Sequence, residues 1–200
     1  AEESGLIGGI GSWVFEQSIT QLAKWRATHS PDLQLSINTS PVQYQHDEHE
    51  VSKWYELMDK LKLPYDCLVI EITESIMLDF NSKVNDKLEA FRNGGVQLAL
   101  DDFGTGYSSI QNLDILPINE LKIDQSFISD IAHNQIHREL VESMISLGKN
   151  LNVTVVAEGV ETEEQCQLLV KMGCDLLQGF YVNRALTAAQ FIENYRFKAA

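Results

Sequence analysis

Six short apolar runs, each closing on a polar or charged group and separated by segments of helical period, constrain this chain more than any other feature. The runs are "LQLSIN" (33–38), "CLVIEIT" (67–73), "VQLALDD" (96–102), "ELKID" (120–124), "VTVVAE" (153–158) and a shorter "CDLLQ" (174–178). Helical period marks "SWVFEQSITQLAKWRA" (12–27), "VSKWYELMDKLKL" (51–63), "VNDKLEAFRNG" (84–94), "HRELVESMISLGKNL" (137–151), "TEEQCQLLVKMG" (162–173) and "TAAQFIENYRF" (187–197). Gly94 suits a helix C-terminus, and Thr162 and Thr187 suit N-caps. The link after Asp102 leaves room for one brief helix near Ser109–Leu116. Strands alternating with helices imply βαβ units and a parallel sheet.

Strand residues alternate between faces. One face of each run is apolar: Leu33, Leu35 and Ile37; Leu68, Ile70 and Ile72; Leu98 and Leu100; Val153 and Val155. The other is smaller and more polar and leads to a functional group. The ends are Asn38, Glu71, Asp101 with Asp102, Lys122 with Asp124, Glu158, and Gln178. An open doubly wound sheet would concentrate a site at one switch point. A (β/α)8 barrel gathers every C-terminal strand end at one mouth. Six contributing ends favour the barrel, of which about six of the eight strands are visible. Six strands leave edges at 33–38 and 174–178, and bare edges invite aggregation. Two upstream strands, or strands from a partner chain, are therefore expected. The opening "AEESG" lacks Met, which suggests a fragment. The expectation is one domain over 1–200 that lacks its first two strands.

Composition narrows the partners. A net charge of −14 argues against a surface that tracks polymeric DNA or RNA, which needs basic stripes. It leaves room for a small phosphate ligand, because a bound metal inverts the local field. Three cysteines without CxxC spacing suggest free thiols in a reducing compartment. No apolar run approaches the ~18 residues of a membrane span, and no signal peptide is visible.

Asn38, Glu71, Asp101, Asp102 and Glu158 make an oxygen-rich donor set with one amide, which suits Mg²⁺ or Mn²⁺. A pair of ions fits better than one. Asp101 could bridge, with Asp102 and Glu158 on one ion and Asn38 and Glu71 on the other. Paired ions recur in phosphodiester hydrolysis. Lys122 is then the partner of a water or a phosphate oxygen, and its ammonium offsets the acids. Any one of these acids alone could be a cap or a salt-bridge partner, and the glycine loop alone a turn. Compatible chemistry at six strand ends is harder to explain that way. "HDEH" (46–49) and "HNQIH" (133–137) have metal-like spacing without an identifiable third ligand. "GLIGGIG" (5–11) lacks the strand and glycine order of a phosphate loop. Trp25 and Trp54 sit in helical patterns and read as packing residues.

"LSINTSPVQ", "VIEITES", "LALDDFGTGYSSI", "LPINELKID", "VVAEGVET" and "LLQGF" stand in the order and spacing of a known family. Over essentially its whole length the chain resembles the EAL domain, the bacterial cyclic-di-GMP phosphodiesterase. The resemblance implies a modified (β/α)8 TIM-type barrel. It implies linearisation of cyclic di-GMP to 5′-pGpG with two Mg²⁺ or Mn²⁺ ions and no covalent intermediate. Asn38 and Glu71 are then metal ligands, Asp101 bridges, and Asp102 and Glu158 complete the second ion. Lys122 contacts the hydrolytic water, and Glu158 assists proton removal. Glu74 fixes the loop Phe103–Ser109, which helps to assemble the second metal site and a dimer interface. Gln178 lies near water and substrate, and Gln43, Asp124 and Glu161 are substrate-side or supporting residues. A homodimer, upstream sensor or GGDEF domains and a cytoplasmic site are implied, with any membrane anchor in other domains.

One departure is large. The Glu-Ala-Leu segment that names the family does not occur in these residues. Its glutamate is a metal ligand in the family, so the 200 residues taken literally should show weak or no activity. Every other signature position is intact, which favours an enzyme. The alternatives are a receptor that binds cyclic di-GMP without turnover, and a protein-interaction scaffold.

Overall fold

The computed structural model describes residues 1–2, 4–40, 42–43, 50–74, 82–106, 113 and 116–194. "HDEH" (46–49) lies outside them, as does the expected helix near Ser109–Leu116 apart from Leu113 and Leu116. Among the described residues the elements are α1 (Ile7–Thr28), β1 (Leu35–Asn38), α2 (Glu50–Leu61), β2 (Leu68–Thr73), α3 (Ser82–Gly94), β3 (Gln97–Phe103) and β4 (Glu120–Ile123). They continue with α4 (Gln125–Ile128), α5 (Gln135–Leu151), β5 (Thr154–Ala157), α6 (Glu163–Met172), β6 (Leu176–Leu177) and α7 (Ala188–Asn194). The six expected strands are present, with "CDLLQ" reduced to two residues. The chain divides into two compact units, Ala1–Ile72 with Asp79–Leu98 and Thr187–Ala200, and Thr73–Leu78 with Ala99–Leu186.

In the first unit β1 and β2 are parallel, with Leu35 opposite Leu68 and Asn38 opposite Glu71. The α1 helix buries Phe15, Ile19 and Leu22, one stripe at helical spacing. Trp54 of α2 stacks on Phe15 at 4.2 Å, and Phe91 of α3 lies 5.7 Å from Trp54. Trp25 packs 4.8 Å from Phe191 of α7. Both tryptophans are therefore packing residues. The α1 helix begins earlier than the pattern suggested and takes in most of "GLIGGIG", so that stretch is no phosphate loop. Gly11 packs against the amide of Gln43, which would have to shift to admit a Cβ there.

In the second unit β3, β4, β5 and β6 are parallel neighbours in chain order. The α5 helix buries Val141 and Ile145 on one face and starts at Asn134, whose side chain accepts the N–H groups of Ile136 and His137. The α6 helix opens on a capping box between Thr162 and Gln165. The short α4 helix, not expected from the pattern, is N-capped by Asp124.

Candidate active site

The second unit builds its site from an irregularity in β3. Leu100 pairs with Leu121, but Phe103 pairs with Ile123, so β3 carries one extra residue over that interval. Asp102 takes up the difference in a left-handed conformation, with φ of 57°. In a regular strand Asp101 and Asp102 would point to opposite faces. Here Asp101, Asp102 and Glu158 each place a carboxylate oxygen within 4.8 Å of the others. The N–H of Asp102 donates to Oδ1 of Asp101 at 3.1 Å.

Lys122 on β4 supplies the counter-charge. Its Nζ lies 3.0 Å from Oδ1 of Asp101 and 2.7 Å from Oε1 of Glu158, and its side chain is 3% exposed. Glu158 follows β5 and is held by its N–H, which donates to the carbonyl of Ile123 at 3.1 Å. Asp102 remains under electrostatic stress. Burial and then the charges of Asp101 and Asp124 push its carboxyl above the usual value, only partly offset by Lys122. Three clustered carboxylates, one of them short of positive charge, fit a hard divalent cation by the chemistry of their donors. Among the described residues they are the group of three or more candidate donors that comes together.

A cleft of about 280 Å³ adjoins the cluster, lined by Asp102, Asp124, Glu158, Glu161, Gln178 and Phe180. The carboxylate of Asp124 accepts the N–H of Ser126 at 3.0 Å, so this residue is a helix cap as well as a wall of the cleft. Gln178 is fixed through its backbone, its N–H donating to Ala157 and its carbonyl accepting from Val160. Phe180 is 53% exposed, with the guanidinium of Arg184 stacked 4.3 Å from its ring centre. Glu74, 4% exposed, accepts with Oε2 the N–H groups of Gly104 at 3.2 Å and Gly106 at 3.0 Å.

The first unit holds the remaining candidates. Asn38 and Glu71 face each other across β1 and β2 at their C-terminal ends. Asn38 is exposed and Glu71 buried. The Glu71 carbonyl receives both the N–H of Thr39 at 3.0 Å and its hydroxyl at 2.9 Å, which ties the two strand ends together. Gln43 is buried against Gly11, and its Oε1 accepts the N–H of Ser40 at 2.9 Å.

The histidines do not form a competing site among the described residues. His137 pairs through Nδ1 with Oδ1 of Asp130 at 2.5 Å, and neither it nor His133 joins a group of three donors. Sequence reasoning missed the bulge at Asp102, the α4 helix, Phe180 and the buried Gln165. "IDQSF" offered one usable signal, an Asp two residues before Ser at a helix start.

The model of the EAL domain matches residues 1–185. The chain belongs to the EAL domain family. It is 38% identical over 195 residues to MucR of Pseudomonas aeruginosa, a bifunctional diguanylate cyclase/cyclic di-GMP phosphodiesterase, covering 96% of this chain and 28% of MucR. It is 34% identical over 196 residues to the cyclic di-GMP phosphodiesterase PdeR of Escherichia coli K12, covering 98% of this chain and 29% of PdeR. The chain thus spans under a third of the length of these relatives. The solved MucR phosphodiesterase, a cyclic di-GMP complex, is similar with a TM-score of 0.89 over 96% of this chain and 77% of that one, at 38% identity. BlrP1 of Klebsiella pneumoniae, solved with manganese and cyclic di-GMP, gives 0.77 over 88% of this chain and 43% of that one, at 29% identity. The fold is accordingly the TIM-like (β/α)8 fold of EAL domains, to which the described residues contribute six parallel strands.

Proposed function

We propose that this EAL domain is the hydrolytic core of a cyclic-di-GMP phosphodiesterase that uses two Mg²⁺ or Mn²⁺ ions and releases linear 5′-pGpG. The observation that supports this best is the group of Asp101, Asp102 and Glu158 around Lys122. In this reading Asp101, Asp102 and Glu158 would hold one ion in the second unit, and Asn38 and Glu71 would be donors to an ion in the first. The ions, when bound, neutralise the phosphodiester and acidify the attacking water.

The chain's own groups do the rest. A water oxygen adds to phosphorus, and the bond from phosphorus to the 3′-oxygen breaks. One product end is a 5′-phosphate and the other a 3′-hydroxyl. Lys122 orients the water or a phosphate oxygen, Glu158 would receive the proton that the water gives up, and the departing 3′-oxygen takes a proton from solvent. Asp124, Glu161 and Gln178 line the side where the nucleotide would sit, while Gln43 supports the first unit. Glu74 holds the loop that begins at Gly104. The 1–200 segment acts as a single catalytic domain, working as a homodimer and regulated by sensor or GGDEF domains elsewhere in its protein.

The test is hydrolysis of cyclic di-GMP by the full-length protein with Mg²⁺ or Mn²⁺. Linear pGpG should appear, and Asp101→Ala and Glu158→Ala should each abolish it. Retained turnover in both variants overturns the mechanism. Binding of cyclic di-GMP without turnover by the wild type replaces the enzyme with a receptor.

A further inference from the structure

The turns that follow Asp102 and Glu158 both lean on the same small element. Gly104 has φ of 97°, and a Cβ there would lie 2.7 Å from Met144 and 2.8 Å from the ring of Phe127. Gly159 has φ of 68°, and a Cβ there would lie 2.4 Å from Cβ of Gln125. Phe127 and Gln125 belong to α4, so that single helical turn is wedged against both acid-bearing segments of the second unit. A four-residue helix has little stability of its own. Asp124 caps its start. Its far end is tied by Gln165.

Gln165 is 5% exposed and uses both ends of its amide. Its Nε2 donates to the carbonyls of Ile128 and Ser129, each at 3.1 Å. Its Oε1 accepts the N–H groups of Glu161 at 2.8 Å and Thr162 at 2.9 Å. This is more than the start of α6 requires. The Thr162 contact belongs to the capping box, but the Glu161 contact fixes the segment just after Glu158, and the Nε2 contacts reach α4. One buried amide therefore sets the distance between the α4 wedge and the Glu158–Glu161 segment.

We infer that Gln165 is a positioning residue for the acid cluster. By holding α4 against the Gly104 and Gly159 turns, it fixes the spacing of Asp102 and Glu158 that a divalent cation requires. The inference rests on the metal reading above, and its test separates the two. Gln165→Glu keeps the acceptor for Glu161 and Thr162 but sets oxygen against the carbonyls of Ile128 and Ser129. Gln165→Met removes all four bonds at similar volume. Leu169→Ala, on the same helix and fully buried, destabilises α6 without touching the tie.

Two measurements on the full-length protein decide it. In metal-free protein, hydrogen exchange at Gly104–Gly106 and Gly159–Val160 should quicken in both Gln165 variants, exchange at Glu161 and Thr162 should quicken in Gln165→Met, and all of these should stay unchanged in Leu169→Ala. Titration with Mn²⁺ should show dissociation constants about 10- to 100-fold higher in the Gln165 variants, the range seen when supporting hydrogen bonds of a metal site are lost. Unchanged exchange in both Gln165 variants overturns the inference, as does equal loss of Mn²⁺ in Leu169→Ala. If the wild type binds no Mn²⁺, the metal reading fails and the exchange result alone decides whether Gln165 positions the two turns.

Discussion

The ammonium of Lys122 lies 2.7 Å from Oε1 of Glu158, joining a residue inside β4 to one just beyond β5. Register favours the contact, because Lys122 pairs with Val156 and Glu158 lies two residues further along, on the same side of the strand. With Asp101 3.0 Å away on the other side, the ammonium is enclosed by carboxylates. Replacing it with an isosteric apolar group would strip the counter-charge from the buried Asp101 and the half-buried Glu158. Lys122→Met should cost about 3 kcal/mol in metal-free protein, as for a broken buried pair. Added Mn²⁺ should restore part of the loss. Thermal melts with and without the ion check this, and a melting temperature unchanged by the substitution would contradict it.

Asp102 gives a prediction with two opposite signs. Its carboxyl is pushed up by burial and by neighbouring acids, so its charge works against the folded state in the absence of a cation. Asparagine tolerates the left-handed backbone that Asp102 adopts. Asp102→Asn should therefore raise the melting temperature of metal-free protein while weakening Mn²⁺ binding. Calorimetry and an Mn²⁺ titration measure the two effects. A drop in both would remove electrostatic stress from the account.

Glu74 carries two N–H groups on one oxygen. Glu74→Ala leaves the Gly104 and Gly106 amides without that acceptor, at a cost of about 2 kcal/mol. Those amides should exchange faster, while the buried α5 amides of Val141 and Ile145 keep their protection. Uniform acceleration across the chain would point to global unfolding instead.

Cys174 offers a test of packing that is independent of the site. Burial pushes its thiol up to about 11, and Sγ donates weakly to the carbonyls of Val155 and Leu176. The raised value means that the contribution to stability is fully present below the unfolded thiol value and is lost as pH rises through about 11. At pH near 8 the native thiol should alkylate far more slowly than the same cysteine in unfolded protein. Mass spectrometry of iodoacetamide-treated protein measures this, and equal rates would mean that the β5–β6 region is open.

Much of this was legible in the residues themselves. Polar groups closing apolar runs located Lys122 and Glu158, because a parallel strand covered by helices leaves few polar positions except its end. Family resemblance tied Glu74 to the glycine loop that it contacts. The aim of Asp102 was not legible. Period-two alternation puts it opposite Asp101, and the bulge that reverses this depends on the register with β4. The α4 helix was hidden for a different reason, since four residues are too few to show a period. The start of α1 was masked by glycines that penalise a helix locally, one of which packs against the amide of Gln43. Gln165 looked like an ordinary polar position on an amphipathic helix, and only its buried contacts mark it out.

The central claim is that Asp101, Asp102 and Glu158 hold a divalent cation. Electron paramagnetic resonance of free Mn²⁺ during titration tests it most directly. The account predicts saturable binding by the wild-type protein, weakened at least about 10-fold in Asp101→Asn, which removes one of the three proposed donor carboxylates. Wild-type protein that leaves the Mn²⁺ signal unchanged, or an Asp101→Asn variant that binds as tightly, would contradict it.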